Sequence, residues 1–140
     1  MDSISKTQIT VQTIINAPIE LVWKKWTTPA DIMNWCSASD DWHAPEAEND
    51  LKIGGKFMTR MEAKDGSYGF DFEGIYDSVI VHDSIEYSLE DGRKVKILFK
   101  DLGNFTEIIE TFDLESINST ELQQAGWQSI LDNFKKYAEL

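Results

Sequence analysis

Five strand-like runs separated by short turns occupy residues 51–114 and constrain the fold more than any other feature of the sequence. The runs cover residues 51–63, 67–81, 83–90, 93–101 and 104–114. Asp65-Gly66 and Asp91-Gly92 are the strongest hairpin signals, because both dipeptides tolerate the positive φ angles of tight turns. Such close spacing predicts an antiparallel meander.

A strand and two short helices are predicted before the meander. Residues 7–15 alternate between apolar and polar side chains, which predicts a strand with one buried face. Pro18 suits the first turn of a helix, and Thr27-Thr28-Pro29 ends it. A second short helix is predicted from Pro29 to Trp35. The first helix gains an apolar face from Leu21, Val22, Trp23 and Trp26.

The longest helix is predicted in the last segment of the chain. Asn118-Ser119-Thr120-Glu121 is typical of a helix start, and the chain then continues to Leu140 without a proline. A helix of that length extends about 30 Å. An apolar stripe along it consists of Leu122, Ile130, Leu131, Phe134 and Ala138.

Residues 37–50 are acidic and show little periodicity, which predicts a long solvated loop. The carboxylates lack the spacing of a calcium-binding loop, so we interpret them as solvated charge. They are Asp40, Asp41, Glu46, Glu48 and Asp50. His43, His82 and Cys36 are too few for a zinc site. We therefore predict no metal and no cofactor.

Composition limits the partners and the compartment. The chain has 140 residues, enough for one domain, and a formal net charge of −12. This charge opposes binding to nucleic acids and to anionic lipid surfaces. Met1–Lys6 lacks the basic start of a signal peptide, and no run of residues is long and apolar enough to insert in a membrane. A cytoplasmic location follows as a prediction, and the lone Cys36 agrees with it.

Several short motifs in a fixed order resemble one protein family over nearly the whole chain. They are Ala17-Pro18 with Val22-Trp23, Thr28-Pro29 with Trp35, Ile53-Gly54-Gly55-Lys56-Phe57, Phe72-Glu73-Gly74, and Gly126-Trp127 with Leu131. The pattern resembles the activator of heat shock protein 90 ATPase homologue-like family of the START-like, or SRPBCC, superfamily. The resemblance implies one α+β domain over residues 1–140 with a helix-grip fold. In that fold, a curved antiparallel sheet of six to seven strands wraps around the long C-terminal helix, and two short helices follow the first strand.

The resemblance also implies a function. Members of the superfamily use a cavity between the sheet and the terminal helix for lipids, sterols, polyketides and aromatic molecules. We therefore expect binding of a hydrophobic or aromatic small molecule without catalysis. The alternative is a protein-interaction module of the stress response that activates the ATPase of a heat shock protein 90 type chaperone. The eukaryotic co-chaperones of the family carry an additional amino-terminal domain, for which 140 residues leave no room.

Strand alternation and the family pattern together nominate the residues of this cavity. Any one of these side chains could instead simply fill the core, because protein interiors are close-packed. The candidates are Met33, Trp35, Phe57, Met61, Phe70, Phe72, Tyr76, Tyr87, Ile97, Phe99, Glu110, Trp127, Leu131 and Phe134. Met33, Trp35 and Cys36 end the second short helix, where they could close one mouth of the cavity.

Glu110 is the one candidate that could support an enzyme. It alternates with Thr106, Ile108 and Phe112, and on the inner face its carboxyl group would have a raised pKa suited to acid–base chemistry. The opposite face of this strand is equally mixed, so the register stays open and an exposed Glu110 is the plainer interpretation. Cys36 with His43 has little support as a nucleophile and base, so no catalytic residue is assigned.

Overall fold

The computed structural model describes residues 8–140, which form seven strands and three helices. The strands are β1 (Gln8–Ile15), β2 (Trp42–Asn49), β3 (Lys56–Ala63), β4 (Gly69–Ile80), β5 (Ser84–Leu89), β6 (Lys94–Asp101) and β7 (Thr106–Asp113). The helices are α1 (Ile19–Thr27), α2 (Pro29–Trp35) and α3 (Thr120–Ala138). The described residues do not include Met1–Lys6, which were predicted not to be a signal peptide. They also do not include the first residue of the predicted strand 7–15.

The seven strands form one antiparallel, curled sheet in the order β1-β7-β6-β5-β4-β3-β2. Consecutive strands from β2 to β7 are neighbours, and the predicted antiparallel meander corresponds to β3 to β7. The first strand closes the other edge by pairing with β7, from Gln8 opposite Asp113 to Ile15 opposite Thr106. The helix α3 packs on the concave side of the sheet, which confirms the predicted helix-grip architecture.

The predicted loop over residues 37–50 was wrong for its second half, which is the edge strand β2. Its pairing with β3 shifts register between His43 and Glu46, and Pro45 lies within that irregular stretch. Pro lacks an N–H group for the ladder, and edge strands and bulges are the places in a sheet that tolerate it. The following strand begins only at Lys56, because residues 50–55 form tight turns.

The inner face of the sheet and the three helices share one hydrophobic core. The sheet contributes side chains at alternate positions of its strands to this core. Helix α1 contributes Val22 and Trp23. Ser119 caps α3 by accepting a hydrogen bond from the Leu122 N–H at 3.1 Å, as predicted from the cap sequence. Leu122 itself is 60% exposed, so its place in the predicted apolar stripe was wrong. The buried residue of that turn is Gln123.

Side-chain hydrogen bonds fasten the helices to one another and to the sheet and loops. The Thr106 hydroxyl donates to the Ala17 carbonyl at the entrance to α1, at 2.9 Å. The Trp35 Nε1–H donates to the Lys25 carbonyl, also at 2.9 Å, and so joins α2 to α1. Asn133 of α3 donates to the carbonyl of Ser37. Within residues 8–140, no helix combines the length and the apolar character needed to cross a membrane.

Candidate functional site

A cavity of about 340 Å³ lies between the inner face of the sheet and α3. Strands β2 to β7 and all three helices contribute to its wall. Its volume is within the range of about 300 to 1,000 Å³ that is typical of small-molecule sites. A close-packed interior leaves few voids larger than a water molecule, so this cavity departs from ordinary core packing.

Aromatic rings dominate the wall. They are Trp26, Trp35, Phe57, Phe70, Phe72, Tyr76, Tyr87 and Trp127. The Phe57 and Tyr87 rings meet edge to face with their centroids 4.7 Å apart, and the Phe72 and Trp127 rings do so at 6.1 Å. Trp127 also stacks on Phe112 at 4.1 Å. The rings of the wall thus pack on one another within the sheet and between the sheet and α3.

Glu110 lies on the inner face of β7, between Val11 of β1 and Ile97 of β6 in the register of the sheet. Its side chain is on the cavity wall, and the residue is only 6% exposed. The plainer interpretation of an exposed Glu110 was therefore wrong. Burial raises the pKa of its carboxyl group to about 8, because the charged form loses its hydration.

Two neutral acids lie close to Glu110. Burial, together with the charge of Glu110, raises the pKa of the Cys36 thiol to about 12. The same two causes raise the pKa of Tyr87 well above its usual value. Cys36 is therefore a thiol and not a nucleophilic thiolate at neutral pH. His43 lies half-exposed beside Glu62, with Nε2 and Oε1 3.6 Å apart, and is not part of the cavity wall.

Polar side chains are gathered at the rim of the cavity. Gln123 accepts a hydrogen bond from the Glu115 N–H at 2.9 Å and donates to the carbonyls of Glu115 and Asn118. The Tyr76 hydroxyl donates to the Asn49 amide oxygen, and Asn49 in turn donates to the Thr27 carbonyl at 2.6 Å. These bonds satisfy the rim groups within the protein and fix its shape.

The structure places ten of the predicted site residues on the cavity wall. They are Trp35, Phe57, Met61, Phe70, Phe72, Tyr76, Tyr87, Ile97, Glu110 and Trp127. Four others are not part of the wall. Met33 is 41% exposed on the outer side of α2. Phe99, Leu131 and Phe134 are buried core residues.

Ring packing explains why two of the predicted residues do not reach the cavity. Phe99 packs against Trp23 and Trp26, at centroid distances of 5.1 and 5.7 Å. Phe134 packs against Trp26 and Trp35, at 4.8 and 4.9 Å. Of this cluster, Trp26 and Trp35 line the cavity, whereas Phe99 and Phe134 do not.

Sequence reasoning missed part of the wall. Thr59 lies between Phe57 and Met61 in the same inward alternation, and Ile85 alternates with Tyr87, so both carried a signal that could have nominated them. The rim residues carried no such signal, because they lie in turns or in the irregular edge strand. They are Glu48, Asn49, Arg93, Glu115 and Asn118. From the helices, the missed residues are Trp26, Ile32, Gln123 and Ile130.

The described part of the chain offers no group of three or more His, Cys, Asp or Glu side chains that could hold a metal ion. The polar groups of the wall are suited instead to hydrogen bonding and to charge pairing with an organic molecule.

Comparisons with known proteins agree with this architecture. The family model described as Activator of Hsp90 ATPase homolog 1-like protein matches residues 16–139. A solution structure of the AHSA1-like protein from Aeromonas hydrophila is 43% identical, with a TM-score of 0.89 over 95% of this chain and 92% of that one. The solution structure of Chr148 from Cytophaga hutchinsonii is 57% identical, with a TM-score of 0.82 over 94% of this chain and 92% of that one.

A more distant structure shows the fold alone. CV1439 from Chromobacterium violaceum is 18% identical, with a TM-score of 0.85 over 96% of this chain and 99% of that one. A comparison with curated proteins gave no significant match.

Proposed function

We propose that this chain, which belongs to the Activator of Hsp90 ATPase homolog 1-like protein family, binds a hydrophobic or aromatic small molecule between its sheet and α3. The observation that carries the proposal is the cavity of about 340 Å³ with its wall of aromatic rings. A molecule seated there would exchange water for ring contacts, at about 25 cal/mol for each Å² of apolar surface removed from water.

The few polar groups of the cavity support a site that orients its ligand. Glu110 and Tyr87 are buried on the sheet side of the cavity, and Gln123 is buried on the α3 side. Sites for small molecules commonly combine apolar walls with a small number of placed polar groups, which supply orientation and specificity. A ligand with an apolar body and one polar end matches this distribution.

The test is a cavity-filling substitution on α3 with a matched control on the same helix. Ile130 lines the cavity, whereas Leu122 is exposed. The neutral probe phenylnaphthylamine should bind the unmodified protein saturably. Its affinity should fall at least about tenfold in Ile130→Trp, since the indole occupies the ligand's space, a loss of about 1.4 kcal/mol.

Leu122→Trp should bind the probe like the unmodified protein. Calorimetric titration of the three proteins measures the affinities, and native mass spectrometry gives the stoichiometry. Equal affinities in all three proteins would place the probe outside the cavity, and a lack of saturable binding to the unmodified protein would contradict the proposal.

An enzyme that uses Glu110 is the second candidate. The observation that favours it is a carboxyl group with a pKa of about 8, within the range of a general acid or base at neutral pH. A reaction that needs this group should be lost in Glu110→Gln while binding of a neutral ligand persists. A cytoplasmic location stays a prediction. Activation of a chaperone ATPase also stays a prediction, and the chaperone's ATPase rate with and without this protein checks it.

A further inference from the structure

Glu110 is a buried acid with no hydrogen-bonding partner among residues 8–140. The residue is 6% exposed, and none of the described residues donates a hydrogen bond to its carboxyl group. Buried polar groups in proteins are nearly always hydrogen-bonded, and buried charges are nearly always paired. The side chain lines the cavity, so a molecule within the cavity can supply the missing partner.

The titratable groups around Glu110 do not supply a cation. The groups that interact electrostatically with Glu110 are Cys36, directly after α2, and Tyr87 of β5, and both are neutral acids. Tyr76 of β4 is a third, and burial raises its pKa as well. None of these three groups can act as a counter-ion to a carboxylate.

The charged groups of the rim are engaged elsewhere or have the wrong sign. Among the described residues of the wall, Arg93 is the one cationic side chain, and its Nε bonds Asp91 at 2.7 Å. Glu115 accepts hydrogen bonds from the N–H groups of Ile117 and Asn118. Glu48 adds a further carboxylate from β2. The wall therefore carries more negative than positive side chains, within a chain of net charge −12.

The aromatic wall suits a cation with an apolar body. The faces of Trp, Tyr and Phe rings attract cations, and the attraction strengthens when the cation is removed from water. The rings of Phe57, Phe72 and Trp127 lie on the same wall as Glu110. A fatty acid or another organic anion would gain no such pairing, because the one cationic side chain among the described residues of the wall, Arg93, already pairs with Asp91.

We propose that the cavity preferentially binds an apolar organic cation, a protonated amine on an aromatic or aliphatic body, with the Glu110 carboxylate as its counter-charge. This inference rests on the proposed function and specifies the ligand's chemistry. The carboxyl group, protonated in the free protein at neutral pH, gives up its proton to the solvent as the ammonium group binds. The complex then contains one carboxylate and one ammonium group, and one proton appears in the buffer.

Three probes with the same ring system test the charge preference. Naphthylethylamine is cationic, naphthylethanol is neutral and naphthylacetate is anionic at neutral pH. Calorimetric titration of the unmodified protein should give the amine an affinity at least about tenfold above that of the alcohol, and should give the anion the weakest binding. Glu110→Gln should remove the advantage of the amine and leave the alcohol's affinity unchanged.

Glu107→Gln is the matched control, because Glu107 lies on β7 but faces away from Glu110's side of the sheet. It makes the same chemical replacement outside the cavity and should keep the preference for the amine. Titrations in buffers of different ionisation enthalpy should show proton release when the amine binds the unmodified protein near neutral pH. That release should be absent with the alcohol and absent in Glu110→Gln.

Equal affinities of amine and alcohol for the unmodified protein, or an amine preference that survives in Glu110→Gln, would overturn this inference and leave the proposed function standing. A failure of all three probes to bind the unmodified protein would overturn both. Two-dimensional NMR spectra of Glu110→Gln establish that the variant is folded in each comparison.

Discussion

Glu110 loses its hydration on folding, and its proton makes the stability of the protein depend on pH. The carboxyl group has a pKa of about 8 in the folded protein and an ordinary value of 4.5. The folded state therefore holds this proton more tightly than the unfolded state does. Stability from this group is fully present below the lower value and is lost as pH rises toward the upper one.

Glu110→Gln should flatten this dependence. The amide has nearly the same shape as the carboxyl group and carries no charge. Above about pH 8 the variant should therefore be more stable than the unmodified protein by a few kcal/mol, because each pKa unit corresponds to about 1.4 kcal/mol. The two proteins should differ far less near pH 4.5. Urea unfolding of both proteins between these pH values measures the difference in their stability. The contributions of the other titrating groups cancel in that difference. A difference that stays constant with pH would contradict the prediction.

The placement of Glu110 also shows where sequence reasoning about single residues reached its limit. The alternation of Thr106, Ile108, Glu110 and Phe112 is visible in the sequence, yet both faces of β7 mix polar and apolar residues. The inward face is selected by pairing with Val11, a partner about a hundred positions away in the chain. Such long-range pairing decides the register and cannot be derived from local alternation.

At the scale of the elements, the side chain of Gln123 ties the segment before α3 to the helix. Gln123 makes three hydrogen bonds to the backbone of Glu115 and Asn118, and all three residues border the cavity. The residue is 8% exposed, so these bonds are largely shielded from water. These bonds hold Glu115 and Asn118 in place beside the helix.

Gln123→Ala should loosen this segment. The loss of three partly buried hydrogen bonds should lower the free energy of unfolding by about 2 kcal/mol, and the Glu115 amide should exchange faster with solvent. Gln124→Ala changes the exposed neighbour and should stay within about 0.5 kcal/mol of the unmodified protein. Urea unfolding and amide hydrogen exchange measure both effects. Equal losses in the two variants would show that Gln123 does not hold the segment.

The elements that sequence reasoning located are those with regular patterns. Alternation and glycine turns indicated β3 to β7, and the cap at Ser119 indicated the start of α3. The edge strand β2 was missed because one side of it has no neighbouring strand and its bulge accommodates Pro45, so its sequence is as polar as a loop. Leu122 was misassigned because the first turn of α3 buries the polar Gln123 and exposes the apolar Leu122.

At the scale of the whole molecule, the acidic surface opposes the compact state. The chain has 25 acidic and 13 basic side chains, and folding brings the excess negative charges together. Dissolved salt screens this repulsion, since the Debye length falls from about 30 Å at 0.01 M to about 8 Å at 0.15 M ionic strength.

The melting temperature should therefore rise by a few degrees over that range of sodium chloride at neutral pH, where about 1 kcal/mol corresponds to about 3 °C for a chain of this size. Near the sequence isoelectric point of about 4.4, the same salt should have little effect, because the net charge is close to zero. Differential scanning calorimetry at both pH values provides the measurement and its control. An equal rise at both would point to a cause other than net charge.

The overall architecture could be predicted more fully than the site. The order of elements together with the family motifs restricts the packing to a sheet that curls around the last helix. The shape of the cavity depends in addition on which rings fill the core. Phe99 and Phe134 have the same apolar character as Phe57 and Phe72, yet they pack against α1 and α2 and do not face the cavity.

The indole rings of Trp26 and Trp35 lie 4.7 Å apart and both line the cavity. Two chromophores this close couple their electronic transitions, so the pair should contribute its own band to the circular dichroism spectrum. A molecule that enters beside them changes the geometry or the surroundings of that pair. The protein thus contains a natural optical reporter of occupancy, which needs no label and responds to any ligand that reaches the two rings.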